Sequence, residues 1–158
     1  MENSKTNPTI ITIFGGSGDL TWRKLIPALY NLFLDGWLNE KYKIICTGLE
    51  DTEQKDFINR LQEGVDKFSR SGKSIKETWE IFSTYIEYRK ADFTKAAFYS
   101  ELKTEVENFD NAADGNANKI YYLAVNPLFF GTIVDLLNLN FSTNLYRLYQ
   151  SIVPTGLN

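Results

Sequence analysis

The sequence predicts an α/β fold in three layers, α/β/α, built on a doubly wound parallel sheet. Three observations lead to this prediction: short β-branched apolar runs alternate with stretches of helical periodicity, the alternation is repeated along the chain, and a glycine-rich turn follows the first run. Strand and helix units in series give parallel strands joined by right-handed crossovers. The length of 158 residues fits one domain.

The first unit contains a buried strand, a tight turn and a helix. Residues 9–14 are β-branched and apolar, as in a strand that is buried on both faces, and glycines follow at once. A helix is predicted over residues 21–35 because leucines recur there at helical spacing. Pro27 lies inside this helix and has no N–H group, so we expect a short lead-in turn before it.

The later units repeat this order of strand and helix. Further strands are predicted at residues 42–47, 85–89 and 120–125. Helices are predicted at residues 53–70, 96–106 and 128–137, with a short amphipathic piece around Trp79 and Phe82 and a polar surface loop at 110–118.

Composition divides the chain into three parts. We expect a flexible N-terminus at residues 1–8, a single α/β domain at residues 9–137 and an atypical tail at residues 138–158. From Leu136 onward the sequence contains no Asp, Glu or Lys and only one cation, Arg147, although the preceding part is evenly charged. We interpret the tail as a shifted reading frame, a truncation or an engineered end.

The charge balance and the missing histidine exclude several classes of function. A net charge of -3 provides no basic surface for nucleic acid, so we expect no DNA or RNA partner. The absence of histidine removes the commonest metal ligand and the commonest general acid or base near neutral pH. We therefore expect no metal site.

Cysteine usage and hydropathy indicate the compartment. The single Cys46 cannot form an internal disulfide, and we expect it to be a buried, inert thiol in a reducing environment. The most apolar later stretch, residues 123–137, is interrupted by polar residues and is shorter than the roughly 20 residues that a membrane span needs. These patterns favour a soluble cytoplasmic protein without a membrane partner.

The stretch Ile-Phe-Gly-Gly-Ser-Gly-Asp-Leu, at residues 13–20, lies between the first strand and the first helix. Its glycines permit a close approach of backbone to a pyrophosphate, whose charge the N–H groups at the helix start can bind. The third glycine of the G-x-G-x-x-G pattern is replaced by Thr21. The stretch predicts phosphate binding, with an ordinary turn as the alternative. The candidate residues are Gly15, Gly16, Ser17, Gly18, Asp19 and Leu20.

Two acidic residues, Glu50 and Asp51, follow the second strand. An acidic side chain at this point of a dinucleotide-binding fold bonds the ribose 2′-hydroxyl, whereas a 2′-phosphate requires a cation. The pair therefore favours NAD over NADP. The alternative is that one of these carboxylates caps the next helix.

Residues 14–27 resemble the signature of the glucose-6-phosphate dehydrogenase family. That signature places Gly-x-Ser/Thr-Gly-Asp-Leu before a basic pair and a proline, and the helix that follows it ends in Asp-Gly, here Asp35-Gly36. The strand ending at Gly48 and the stretch Tyr-Leu-Ala-Val-Asn-Pro at residues 122–127 are also similar to the family. The resemblance extends over residues 9–137 and implies a Rossmann-type domain that binds NAD or NADP.

The resemblance also implies an activity and roles for single residues. The family oxidises glucose 6-phosphate to the lactone in the pentose phosphate pathway and transfers hydride to the nicotinamide. By this likeness, the turn at residues 15–20 holds the pyrophosphate, and Lys24 faces the sugar phosphate, with a solvated helix lysine as the alternative. Asp92 and Pro127 match positions that line the adenosine side.

The sequence departs from the family in two places. Most members have Ala-Arg where this chain has Glu50 and Asp51, which again favours NAD. The family's later Glu-Lys-Pro-Phe-Gly segment, its catalytic histidine and its C-terminal α+β substrate domain do not occur here.

We therefore expect the coenzyme-binding part of a dehydrogenase, inactive as this fragment, with a homo-oligomer only in the full-length family. The alternatives are a non-catalytic nucleotide-binding or regulatory module and, less favoured, another Rossmann oxidoreductase.

Overall fold

A four-stranded parallel sheet forms the centre of the computed structural model, which describes residues 6–141. The strand order is β3-β2-β1-β4. The strands are β1 (Thr9–Phe14), β2 (Tyr42–Gly48), β3 (Ile86–Lys90) and β4 (Asn118–Leu123). The helices are α1 (Ile26–Leu34), α2 (Gln54–Phe68), α3 (Lys76–Ser83), α4 (Ala96–Ala112) and α5 (Phe130–Asn140). A π-helical turn, Thr21–Leu25, precedes α1, and a 3-10 turn, Pro127–Phe129, precedes α5.

The central strand β1 is buried along its whole length. It pairs in parallel with β2 on one side and with β4 on the other, and Thr9 starts both ladders opposite Tyr42 and Asn118. Such double coverage explains why β1 reads as a continuous apolar run rather than an alternating one.

Two separate cores cover the two faces of the sheet. Ile11, Ile13 and Ile44 point to one face and pack with residues of α1, α2 and α3. Ile10 and Ile45, which alternate with them, point to the other face and pack with α4 and α5. Because side chains alternate along a strand, each strand contributes to both layers. The predicted three-layer α/β/α fold is confirmed.

Several later elements differ from the prediction in their bounds; α5, for example, covers Phe130–Asn140 instead of residues 128–137. Helix α4 continues to Ala112 instead of ending at residue 106, and β4 runs from Asn118 to Leu123 instead of over residues 120–125. The loop between them is correspondingly shorter than predicted. The Asp110 carboxylate of α4 connects this helix to the far end of the loop and the start of β4. It accepts hydrogen bonds from the Ala117 amide (3.0 Å) and the Lys119 ammonium group (2.6 Å).

A network of four charged side chains connects β2, β3 and α4. The Lys43 ammonium group lies 2.9 Å from Glu87, and the Arg89 guanidinium lies 2.6 Å from the same carboxylate. Both cations also contact Glu105 of α4. Burial alone would raise the pKa of Glu87, but hydrogen bonds from Lys43 and Arg89 outweigh this effect and keep the pKa below its usual range.

The predicted domain limits fall partly outside the described residues, because the structure describes neither residues 1–5 nor residues 142–158. At the start of the described part, the Thr6 amide donates to the Trp37 carbonyl at 3.1 Å, and the Asn118 amide donates to Pro8 at 2.7 Å. At its other end, α5 continues to Asn140. The division at residues 8 and 137 stays a prediction.

Candidate functional site

The turn after β1 is fixed to the end of β2. The Gly15 and Gly16 amides both donate to the Thr47 carbonyl, at 3.1 and 2.9 Å. The Gly18 amide and the Thr21 hydroxyl donate to the Gly15 carbonyl, at 3.0 and 3.2 Å. The glycine stretch is therefore a closed turn that lies at the carboxyl ends of the strands.

This turn leaves no room for side chains on the side facing the sheet. A Cβ atom at Gly15 would lie 2.3 Å from the Ala124 carbonyl oxygen, which follows β4, and Gly15 has a φ of +81°. A Cβ atom at Gly16 would lie 2.5 Å from the Cβ atom of Cys46 in β2. Only glycine therefore fits at these two positions, where the turn packs against β2 and the residue after β4.

The helix after the turn presents its first amides at the same place. Leu20 already has helical backbone angles (φ −61°, ψ −43°), and the first helical hydrogen bond runs from Trp22 to the Gly18 carbonyl at 3.2 Å. The N–H groups that precede this bond at a helix start have no helical acceptor and are suited to bind an anion. The residues present fit the pyrophosphate of a dinucleotide.

Pro27 explains the unusual turn at the start of this helix. The Ile26 amide donates to the Thr21 carbonyl, a wider π-type bond, and Pro27 then occupies the first turn of α1. A proline is tolerated there because an N–H group at the start of a helix has no acceptor within the helix, so its loss removes no helical hydrogen bond. The predicted lead-in turn is confirmed, and it presents Lys24 to solvent. Asp19, which precedes it, lies 3.6 Å from the Arg23 guanidinium.

Glu50 and Asp51, the two acidic residues predicted to favour NAD over NADP, lie after β2 with their side chains exposed. Glu50 lies 3.2 Å from the Arg60 guanidinium, and Asp51 lies 3.3 Å from the Lys90 ammonium group. The side chain of Asp51 is 91% exposed. The residue that caps α2 is Glu53 rather than Glu50 or Asp51, and its side chain forms no capping hydrogen bond. The capping alternative therefore has no support in the described residues.

Asp92 and Pro127 belong to two loops that meet at the same end of the sheet. Phe93 and Phe129, their neighbours in sequence, pack edge to face with ring centroids 5.5 Å apart. The Asp92 carboxylate accepts hydrogen bonds from the Thr94 hydroxyl (2.6 Å) and amide (2.9 Å), which keep its pKa below the usual range. Within the fold, Asp92 thus closes the turn that precedes α4.

Sequence reasoning overlooked two features. Tyr99 and Lys103 have the Tyr-x-x-x-Lys spacing expected of other Rossmann oxidoreductases, but the Tyr99 ring is fully buried and its hydroxyl donates to the Phe93 carbonyl. Lys103 instead lies near Glu107, at 3.8 Å. Tyr88, by contrast, reaches the candidate site from β3, where its hydroxyl donates to the Glu50 carbonyl at 2.8 Å. The signal available for Tyr88 was its place near the end of a parallel strand.

The described part of the chain offers neither a metal site nor a membrane span. Residues 6–141 contain no group of three or more Cys, Asp or Glu side chains that could hold a metal ion. None of the helices in this range is long and apolar enough to cross a membrane. Cys46 is completely buried, which raises the pKa of its thiol far above the usual value.

Comparisons with known proteins agree on one family. The family model described as "Glucose-6-phosphate dehydrogenase, NAD binding domain" matches residues 12–152, beyond the residue at which we expected the domain to end. The chain is 35% identical over 133 residues to glucose-6-phosphate 1-dehydrogenase of Chlamydia pneumoniae, covering 83% of this chain and 25% of that protein. It is 34% identical over 129 residues to the enzyme of Leuconostoc mesenteroides, covering 82% and 26%.

A solved structure shows the same likeness in three dimensions. A glucose-6-phosphate dehydrogenase in complex with its substrate glucose 6-phosphate superposes with a TM-score of 0.78 at 28% identity, covering 91% of this chain and 30% of that one. The chain spans about a quarter of the length of the curated relatives it matches.

Proposed function

Because this chain belongs to the glucose-6-phosphate dehydrogenase family through its NAD-binding domain, we propose that it forms the coenzyme-binding part of such an enzyme. The whole protein would oxidise glucose 6-phosphate to the lactone in the pentose phosphate pathway. When bound, the nicotinamide accepts the hydride. The residues of this chain bind and orient the dinucleotide, and we do not favour the alternative of a non-catalytic regulatory module.

The observation that carries this proposal is the bare backbone of the turn at Gly15 and Gly16. No Cβ atom fits there, and the first amides of the following helix lie beside it. The pyrophosphate would lie against Gly15, Gly16, Ser17, Gly18, Asp19 and Leu20. The N–H groups and the positive end of the helix dipole would then stabilise its charge.

We further propose that Asp51 contacts the ribose and favours NAD over NADP. Its exposed carboxylate would accept a hydrogen bond from the 2′-hydroxyl and repel a 2′-phosphate. The nearby cations, Arg60 and Lys90, pair with Glu50 and Asp51 and partly offset this repulsion. Exposed pairs of this kind contribute little, so we expect the preference for NAD to persist.

Titration of the chain with NAD and NADP tests both proposals. We expect NAD to bind at least as tightly as NADP and Asp51→Arg to shift the preference toward NADP. Lys55→Arg, in the first turn of α2, adds no charge and serves as the matched control. Clear NADP selectivity in the unaltered chain would contradict the role of Asp51, and failure to bind either dinucleotide would contradict the proposed function.

The substrate-side residues are proposals of the same kind. Lys24 would bind the sugar phosphate as a flexible point charge, and Asp92 and Pro127 would line the adenosine side. Weaker binding of glucose 6-phosphate to Lys24→Ala than to Arg23→Ala would support the role of Lys24. We also propose a cytoplasmic location, in keeping with a reduced, buried Cys46, and a homo-oligomer only in the full-length protein.

A further inference from the structure

Three contacts hold Tyr88 at the candidate dinucleotide site, two through its phenol and one through its backbone. Its hydroxyl donates to the Glu50 carbonyl at 2.8 Å. Its ring stacks on Phe57 of α2, with centroids 4.5 Å apart and an interplanar angle of 29°. Its backbone amide donates to the Gln54 side-chain oxygen at 2.8 Å. The hydroxyl therefore has a fixed position between β3 and the loop after β2.

The glycine turn at residues 15–20 contacts the same Tyr88 hydroxyl with the side chain of Ser17. A Cβ atom at Gly48 would lie 2.6 Å from the Ser17 hydroxyl oxygen and 3.3 Å from the Tyr88 hydroxyl oxygen, so both oxygens lie over this glycine. Burial and the Glu50 charge raise the pKa of Tyr88, and the hydrogen bonds with the Glu50 backbone and with the Ser17 side chain only partly oppose this rise. The phenol therefore remains protonated at neutral pH and keeps its role as a donor.

Resting on the proposed function, we propose that Tyr88 is a positioning residue of the dinucleotide site. It fixes the position of the glycine turn, through Ser17, relative to the loop after β2, through Glu50. The two loops follow different strands, β1 and β2, and the Tyr88 hydroxyl touches both. A site whose groups are already placed loses less entropy when the ligand binds.

The first test is Tyr88→Phe, which removes the hydroxyl and keeps the ring that stacks on Phe57. We expect the dissociation constant for NAD to rise about fivefold, as for one lost hydrogen bond of about 1 kcal/mol. The matched control is Tyr85→Phe, which removes a hydroxyl before the other end of β3. Equal NAD affinity in Tyr88→Phe and the unaltered chain would overturn the proposal.

A second variant reaches the cluster without altering Tyr88. The new methyl group of Gly48→Ala would displace the Ser17 hydroxyl, and we expect weaker NAD binding with an unchanged unfolding temperature. Because the two side chains act as one unit, Gly48→Ala/Tyr88→Phe should lose less affinity than the sum of the single losses. If the loss of NAD affinity in the double variant equalled the sum of the two single losses, the proposed coupling would be contradicted. This comparison holds even if Tyr88→Phe lowers the stability of the fold.

The outcomes distinguish this inference from the function on which it rests. NAD binding that is tight in the unaltered chain and equally tight in all variants would overturn the role of Tyr88 and leave the proposed function intact. If the unaltered chain bound no dinucleotide, the proposed function would fail and the inference with it.

Discussion

A missing side chain determines the shape of the candidate site at the scale of single residues. At Gly15, any Cβ atom would meet the carbonyl oxygen of Ala124 at 2.3 Å, and the φ of +81° is itself unfavourable for other residues. A substitution of Gly15 would therefore combine two unfavourable effects, backbone strain and a steric clash. Gly36 separates them, because it has a φ of +74° and none of the described atoms lies within 4 Å of its absent Cβ.

We predict that Gly15→Ala destabilises the protein clearly more than Gly36→Ala. A left-handed backbone costs an alanine about 1–2 kcal/mol, which applies to both variants. The clash with Ala124 adds about 1–3 kcal/mol to Gly15→Ala alone, as for an overpacked core. Urea unfolding measures both losses, and equal losses would show that the turn is less tightly packed than the distances indicate.

At the scale of elements, α2 approaches the start of the first helix as closely as the backbone permits. A Cβ atom at Gly64 would lie 2.5 Å from the Trp22 carbonyl oxygen and 2.6 Å from its indole ring. The Trp22 indole N–H also donates to the Arg60 carbonyl of α2 at 2.9 Å. This contact fixes the π-helical turn, and with it Lys24, relative to the sheet.

We predict that Gly64→Ala destabilises the fold although alanine favours helices by about 1 kcal/mol over glycine. The steric clash with Trp22 would outweigh that gain. Gly131→Ala in α5 is the matched control, because no atom of residues 6–141 lies within 4 Å of its absent Cβ, and its stability should be equal or slightly higher. Thermal unfolding of both variants makes the comparison, and an increase for Gly64→Ala would contradict the close packing.

The charged network between β2, β3 and α4 predicts a dependence of stability on pH. Because the pKa of Glu87 is lower in the folded state than in the unfolded state, its contribution is present above the ordinary glutamate pKa. It is lost as the pH falls through the folded-state value. We expect Glu87→Gln to reduce the loss of unfolding free energy between neutral and acidic pH.

Glu77→Gln provides the control for this pH effect, because Glu77 lies in the first turn of α3, outside the network. Denaturant unfolding at a series of pH values measures the slopes. If Glu87→Gln kept the full slope of the unaltered protein, the acid sensitivity would have another origin.

How far the sequence predicts these elements depends on how deeply each is buried. The bounds of β1 follow from its apolar run, since both of its faces are covered. The start of β4 does not, because Asn118 and Lys119 are exposed and polar yet still pair with Thr9 and Ile10 of β1. The sequence could place Tyr88 near the end of a strand, but its contacts are with loops distant in sequence, which no local pattern predicts.

At the scale of the whole molecule, the strand order determines where the candidate site lies. The chain leaves β1 toward β2 through α1 and reaches β4 on the other side through α4. The crossovers therefore diverge at β1, which opens a crevice at the carboxyl ends of the strands. The glycine turn lies at this crevice; the sequence predicted its place directly after the first strand, and the strand order comes from the structure.

We predict that the 158-residue chain forms no reduced nicotinamide when mixed with glucose 6-phosphate and either dinucleotide. Oxidation of the hydroxyl needs a base to take its proton, and this sequence has no histidine for that task. An assay in parallel with the Leuconostoc mesenteroides relative checks the conditions. Turnover by the chain alone would show that another of its groups acts as the base.

The burial of Cys46 beneath Gly16 makes this thiol a reporter of opening. It is the single cysteine of the chain, and the turn proposed to hold the pyrophosphate covers it directly. A thiol-alkylating reagent can reach it only when this end of the sheet opens. The labelling rate therefore reports local unfolding, and a dinucleotide that binds the folded state should slow it in proportion to its affinity.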